Sequence, residues 1–259
     1  MNNKKLTHIL FDVDGTLYDK RRAYNPGSGC IEDSHEFFRY NTYALLSSGF
    51  SLEETLNVVL DSYKTHVKER QILSNLERFS ESYKRMFHNK VEQGGSNGNV
   101  FVNEFGASKD YFARLVGQID FSSVLARDEL LVELISGLKQ KYHLGIITNE
   151  VYSTIEKVSS VLGFSINDFK METGSEFHLF CKETGVSKPN LQSFSRPLEL
   201  NNLLPEQAVY VGDSFSKDIK PVISLGMNAV HVTNNGSYVL DKTNYVEVGS
   251  IYDLSRVLL

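Results

Sequence analysis

The stretch Ile9-Leu10-Phe11-Asp12-Val13-Asp14-Gly15-Thr16-Leu17-Tyr18 constrains this chain more than any other. An apolar run ends abruptly in two aspartates two residues apart, then glycine and threonine. A strand covered on both faces is apolar throughout, and an ionised carboxylate is expensive there unless it is paired or meets a cation. Side chains two residues apart share one face of a pleated strand. Two carboxylates at the end of a buried strand therefore predict a bound cation or a reaction, at the edge where open parallel sheets take ligands. The competing reading is a strand that runs into an ordinary Asp-Gly turn.

Three later stretches weigh against that plain turn. They are Ile146-Ile147-Thr148-Asn149, Ser187-Lys188-Pro189, and Val209-Tyr210-Val211-Gly212-Asp213-Ser214 with Asp218 just beyond. Together with the first stretch, and in this order, they resemble the four motifs of the haloacid dehalogenase-like phosphohydrolase superfamily. The resemblance covers residues 7–18 and roughly 140–230, and in between extends only to the size and helical character of the block. It implies an α/β fold: a Rossmann-like parallel sheet core with an inserted all-helical cap domain. On this reading residues 1–18 and 142–259 form the core and residues 19–141 the cap.

The rest of the chain agrees with that division. From about residue 30 to 140 no run alternates as a strand should. Ser51-Leu52-Glu53-Glu54 predicts a capping box, the serine accepting from the third helical amide while Glu54 reaches back. A helix is expected from Gln71 to Val91, then a flexible loop over Gly94–Asn99, and a helix opened by Ser108. The segment Arg127–Tyr142, with Leu130, Leu131, Leu134, Ile135 and Leu138, is amphipathic and returns the chain to the main domain. Beyond it the pattern changes. Buried strands are expected at His143–Thr148, Phe177–Phe180, Gln207–Gly212, Ala229–Val232 and Tyr245–Val248, separated by helices. That alternation predicts a parallel sheet with right-handed crossovers. The helical block is rich in tyrosine and phenylalanine, which fill the core of a bundle by default and can also line a pocket.

Composition removes some classes of function. At 259 residues and 41% hydrophobic content the chain can bury a sizeable core. A formal net charge of -5 gives no general attraction to nucleic acid polymers or anionic membranes, so an anionic substrate must be held by local charge. No stretch approaches the roughly 18 apolar residues of a membrane span. The two cysteines, Cys30 and Cys181, have no metal-ligand or redox spacing. The amino terminus lacks a long apolar segment followed by a small-residue cleavage site. These features predict a soluble, cytoplasmic protein whose partner is a small-molecule phosphorylated substrate.

The residue types suit phosphoryl transfer. Hydrolysing a phosphate monoester requires a positioned nucleophile, neutralised charge and help for the leaving group. Asp12 can attack phosphorus and form an aspartyl-phosphate. Asp14 can protonate the leaving alkoxide and then deprotonate the attacking water. Thr148 and Asn149 offer donors to the phosphate oxygens, and Lys188 brings a fixed positive charge. The family resemblance implies the same roles. It further implies Mg2+ held by the Asp12 side chain, the Asp14 main-chain carbonyl and Asp213, with Asp218 a carboxylate near the metal and lysine and Ser214 its hydrogen-bonding neighbour. Asp218 as a plain helix cap remains open, as do the role of Lys217 and that of the basic run Lys20-Arg21-Arg22, which either is solvated or meets the phosphate. The expected function is a magnesium-dependent phosphatase acting on a nucleotide- or sugar-phosphate type of metabolite. A phosphomutase of the same fold and a non-catalytic regulatory protein are the alternatives. A dehalogenase is disfavoured by Asp14, because a departing halide needs no proton.

Overall fold

The computed structural model describes residues 6–25, 28–69, 81–94, 96–169, 178–180 and 185–259. The chain divides into two compact units, Met1–Lys20 with Arg127–Leu259, and Arg21–Ala126.

The first unit is built on a seven-stranded sheet. Its strands are β1 (His8–Phe11), β2 (His143–Thr148), β3 (His178–Phe180), β4 (Ala208–Gly212), β5 (Asn228–Val232), β6 (Val239–Asp241) and β7 (Val246–Val248). They lie in the order β3-β2-β1-β4-β5-β7-β6. Every pairing is parallel except β6 with β7, which is antiparallel. The parallel strands are buried on both faces, which is why His-Ile-Leu-Phe and Ala-Val-Tyr-Val-Gly read as unbroken apolar runs. On one face Leu10, Ile147 and Tyr210 pack with Phe194 and Leu198 of the helix Gln192–Leu200. On the other, the Phe11 ring meets that of Phe169 edge-on at 5.8 Å. Burying each such side chain contributes about 1.5–3 kcal/mol. Among the expected strands none is missing, and sequence reading overlooked only β6. That strand is three residues long, with Leu240 and Asp241 exposed, so it lacks the apolar signature of its neighbours.

The central position of β1 follows from its two partners. Phe11 pairs with Ile146 on one side and Val211 on the other, so the carboxyl ends of β1, β2 and β4 come level. The segment after each strand therefore emerges at one edge of the sheet.

The division between units differs from the expected one. The helix Glu129–Lys139, assigned from sequence to residues 19–141, belongs to the sheet unit, whose boundary falls at 126/127 rather than 141/142. Its stripe of Leu131, Leu134, Ile135 and Leu138 is buried. Asp128 at its start accepts a hydrogen bond from the Tyr252 hydroxyl, and the Asp128 N–H donates to the Leu162 carbonyl at 3.0 Å. A helix joins the body that covers its apolar face, and amphipathicity alone does not say which body that is.

The second unit is all helix among the described residues: Ile31–Ser47, Leu52–Glu69, Glu81–Gly94, Asn97–Phe105, Tyr111–Val116 and Phe121–Val124. The capping box at Ser51 and Glu54 forms, with the Ser51 N–H donating to Glu54 Oε2 at 3.0 Å. The flexible loop expected over residues 94–99 is a helix start from Asn97 onward. Ser96 caps that helix by accepting from the Asn99 N–H, and Gly106 ends it in the left-handed conformation. The amino-terminal half of the helix expected from Gln71, residues 71–80, lies outside the described residues. Aromatic rings fill the interior as expected of a bundle. Phe87, fully buried, meets Tyr43 edge-on at 5.5 Å and Tyr40 at 5.9 Å.

Candidate active site

The edge formed by β1, β2 and β4 gathers most of the residues singled out by sequence. Asp12 follows β1, Thr148 closes β2, Asp213 follows β4, and Lys188 arrives on the segment after β3. Lys188 is the hub. Its Nζ lies 2.8 Å from Asp12 Oδ1, 2.7 Å from Asp218 Oδ1 and 3.0 Å from the Tyr210 hydroxyl. The ammonium is 3% exposed and its carboxylate partners 10% and 1%, so these charges meet with almost no water between them. Such pairs form shorter, stronger hydrogen bonds than neutral ones, and each loses much if its partner is removed.

The surroundings fix every member of this cluster. Asp218 Oδ2 accepts from the Ser214 N–H at 3.0 Å while Oδ1 takes Lys188, so both carboxylate oxygens are engaged. Ser214 Oγ caps the turn Phe215–Ile219, a π-helical turn that leads into the helix Lys220–Ser224. Asp218 thus stands inside the first turn after the β4 loop and does not cap it; Ser214 does. Gly212 must be glycine here, because a Cβ on it would lie 2.6 Å from Asp218 Cβ. Tyr210 donates to the Ile147 carbonyl at 2.9 Å and accepts from Lys188, tying β4 to β2 across β1.

Burial raises the pKa of Asp12, Lys188 pulls it down, and Asp218 and Asp213 push it up again, leaving it at about 7. Asp213 is raised for the same first reason, with the charge of Lys20 opposing. For Lys188, burial favours the neutral amine, but the two carboxylates outweigh it and hold the pKa above the usual lysine value. Among the described residues, Asp12, Asp213 and Asp218 offer carboxylate oxygens all within 4.8 Å of one another. Three carboxylates meet two cations, Lys188 at Asp12 and Asp218 and Lys20 acting on Asp213, so the cluster is still short of positive charge. Hard oxygen donors with an excess of negative charge fit Mg2+ better than a thiolate-seeking metal. Because Asp218 is fully occupied by Lys188 and Ser214, the oxygens suited to a cation are those of Asp12 and Asp213.

The remaining predicted residues take more particular positions. Asp14 is half-buried, and the buried Tyr18 hydroxyl donates to its Oδ1. Burial and the Asp14 charge raise Tyr18 well above the usual tyrosine range, so it stays a protonated donor. Gly15 turns between Asp14 and Thr16 with φ of 80°, and a Cβ there would lie 2.2 Å from Asp213 Oδ2. Only glycine satisfies both the dihedral and the space. Thr148 is buried at the strand end, its Oγ1 accepting from the Glu150 N–H at 3.2 Å. The Asn149 side chain is turned away from its expected use. Its Oδ1 accepts from the Lys188 N–H at 2.8 Å and its Nδ2 donates to the Lys188 carbonyl at 3.2 Å, so it fixes the lysine main chain. The basic run straddles the boundary between units. Lys20 acts on Asp213, whereas Arg21 and Arg22 are exposed, with Arg22 over the Tyr24 ring at 5.0 Å.

Sequence reading missed Tyr210 and Tyr18. A signal existed for the first: a hydroxyl in the middle of a strand buried on both faces must find a partner.

A family model described as haloacid dehalogenase-like hydrolase matches residues 6–226. A glyceraldehyde 3-phosphate phosphatase of Methanopyrus kandleri is 24% identical over 89% of this chain and 84% of its own. One of the same name from Methanocaldococcus jannaschii is 35% identical over 44% of this chain, and the match spans only 48% of that relative's length. Among solved structures, a HAD phosphatase from Thermococcus onnurineus covers 98% of both chains with a TM-score of 0.59 at 20% identity, a likeness of fold. With the family model spanning both the motif-bearing strands and the helical insertion, the chain belongs to the haloacid dehalogenase-like hydrolases.

Proposed function

We propose that this hydrolase removes the phosphoryl group from a small phosphorylated metabolite of the sugar-phosphate kind, through an aspartyl-phosphate on Asp12. The observation that carries the reading is the Asp12–Lys188–Asp218 chain of contacts at the carboxyl edge of the sheet. The names of the two archaeal relatives support a sugar phosphate as substrate class.

In this reaction an Asp12 carboxylate oxygen bonds to phosphorus as the ester P–O bond breaks. Asp14, held by the Tyr18 hydroxyl, gives its proton to the departing alkoxide. A water then attacks the aspartyl-phosphate, Asp14 takes one of its protons, and inorganic phosphate leaves with Asp12 restored. Lys188 orients Asp12 through Oδ1 and offsets the charge of the phosphoryl group, while Asp218 and Tyr210 keep its ammonium in place. Thr148 Oγ and the main-chain N–H of Asn149 are the donors at the end of β2 suited to phosphoryl oxygens. Asp12, Asp213 and the Asp14 carbonyl would hold Mg2+, which when bound polarises the phosphoryl oxygens and balances the carboxylates. The helical unit, inserted between β1 and β2, would serve as the cap that excludes water and selects the substrate.

The test is phosphate release from a panel of phosphorylated metabolites that includes glyceraldehyde 3-phosphate, with Mg2+ and with chelator. Release that requires both the metal and Asp12 is the expected result. Turnover retained in Asp12→Asn would overturn the nucleophile, and chelator-insensitive turnover the metal.

A further inference from the structure

Two side chains outside the four motifs reach into the acidic loops from the strand next to them. His231 lies on β5, where it pairs with Gly212, the last residue of β4. Its Nε2 is 3.0 Å from the Asp213 carbonyl oxygen. A carbonyl only accepts, so Nε2 carries the proton. The ring is packed from its other side by the rings of Phe215 and Tyr245, within 6.1 and 6.2 Å, while Nδ1 makes no hydrogen bond among the described residues and has Glu247 Oε2 of β7 at 3.6 Å. Glu247 is in turn bonded by the Tyr238 hydroxyl at 3.0 Å. Three residues after His231, Asn234 donates from Nδ2 to the Gly15 carbonyl at 2.6 Å. To do so its backbone takes φ of 56°, the left-handed region in which asparagine costs least among residues with a side chain. These two bonds fall on two loops that approach closely, since the space beside Gly15 is filled by the Asp213 carboxylate.

We infer that His231 and Asn234 are positioning residues: from the carboxyl end of β5 they hold the main chains of the Asp14–Gly15 and Asp213 loops at one fixed separation, and so set the affinity for the divalent cation. The inference rests on the Mg2+ reading above. Carboxylates that repel one another would otherwise spread when the cation leaves, and each rebinding would have to close them again. Neither bond touches a reacting atom; both act through the peptide next to a proposed ligand. Groups of this kind, bonded to the ligand-bearing chain, typically change metal affinity by about 10–100-fold when removed.

The experiment titrates Mg2+ into the protein by calorimetry without substrate, alongside thermal melting of the same samples. Asn234→Gly keeps the left-handed backbone and deletes only the amide. His231→Leu deletes the donor, and His231→Gln restores one. Asn202→Gly, at the other left-handed asparagine, is the matched control. The expected result is a Kd for Mg2+ raised about tenfold or more in Asn234→Gly and His231→Leu. Recovery in His231→Gln and no change in Asn202→Gly are expected with it. Wild-type Mg2+ affinity in both deletion variants, with the folds intact, would overturn the brace alone. A wild-type protein that takes up no Mg2+ would overturn the metal reading and the brace with it. A fall in melting temperature without a change in Kd would show His231 and Asn234 to be structural only.

Discussion

Among the described residues, each unit holds a buried cation between two carboxylates, and the two arrangements differ in a way that separates function from packing. In the sheet unit Lys188 meets Asp12 and Asp218 at 2.8 and 2.7 Å, all three nearly sealed from water. In the helical unit Arg39 meets Glu32 and Glu36 at 2.6 and 3.1 Å, but these glutamates are 21% and 31% exposed. Arg39 Nε is buried with no partner among the described residues, whereas every donor and acceptor named around Lys188 is matched. Water screens the Arg39 group and offers its glutamates an alternative. The Lys188 group has almost none, and beside it stands a third, half-buried carboxylate, Asp213, on which Lys20 acts. Carboxylates gathered in excess of their cations cost stability, and such a set persists where it meets a substrate or cation.

The strongest way to break this comparison is at Asp12. Asp12→Asn keeps the Lys188–Asp218 pair and removes the oxygen proposed to attack phosphorus, so turnover is expected to fall by at least about 10³-fold while the melting temperature stays close to wild type. A comparable loss of folding with the activity would place Asp12 among structural charges. Next comes Lys188→Met, which leaves Asp12 and Asp218 buried without their cation. The expected loss is about 3–5 kcal/mol in urea unfolding near neutral pH; a change below about 1 kcal/mol would erase the distinction drawn from burial.

His8 sharpens the contrast as a buried ionisable group that is kept uncharged. It stacks on His143 at 4.9 Å, and burial, with the His143 charge second, lowers its pKa from 6.5 to about 4. Between those values the unfolded chain binds a proton that the folded chain refuses. Stability is therefore full above pH 6.5 and declines as pH falls towards 4, by on the order of 3 kcal/mol. Asp12, with its raised pKa, acts in the opposite direction over part of this range, so the quantity to measure is wild type minus His8→Phe. A difference that does not vary with pH would refute the assignment. The smallest effect is expected at Arg39→Met. It removes an orphaned donor and an only partly buried ion group, and stability should change by less than about 1.5 kcal/mol. A loss as large as that of Lys188→Met would show that exposure of the glutamates does not decide the matter.

The sequence by itself determined the fold class and pointed to the side chains that gather at the carboxyl edge of the sheet. Carboxylates, threonine and lysine at the ends of apolar runs are visible without a structure, because the cost of burying them marks them out wherever they sit. The alternation of strands and helices after His143 was legible from length and flanking residues: short unbroken apolar runs bounded by turn residues suit buried strands, and the longer segments between them suit helices. What the tertiary structure alone decided is which distant groups share a contact. Tyr18, His231 and Asn234 have no local signal that points to the site, and the buried hydroxyl of Tyr210 signals only that it needs a partner; their contacts come from β1 and β5 both neighbouring β4, and from the turns that follow. Asn149 was placed correctly at the strand end, yet its amide serves the Lys188 backbone, which lies 39 residues away. The helix Glu129–Lys139 shows the same limit. Its apolar stripe states that something covers it, and only the packing against the carboxyl-terminal helices and the Leu162 turn states what. Local sequence fixes the free-energy cost of exposing a group; pairing across the chain, which sets where that cost is relieved, is a property of the whole fold.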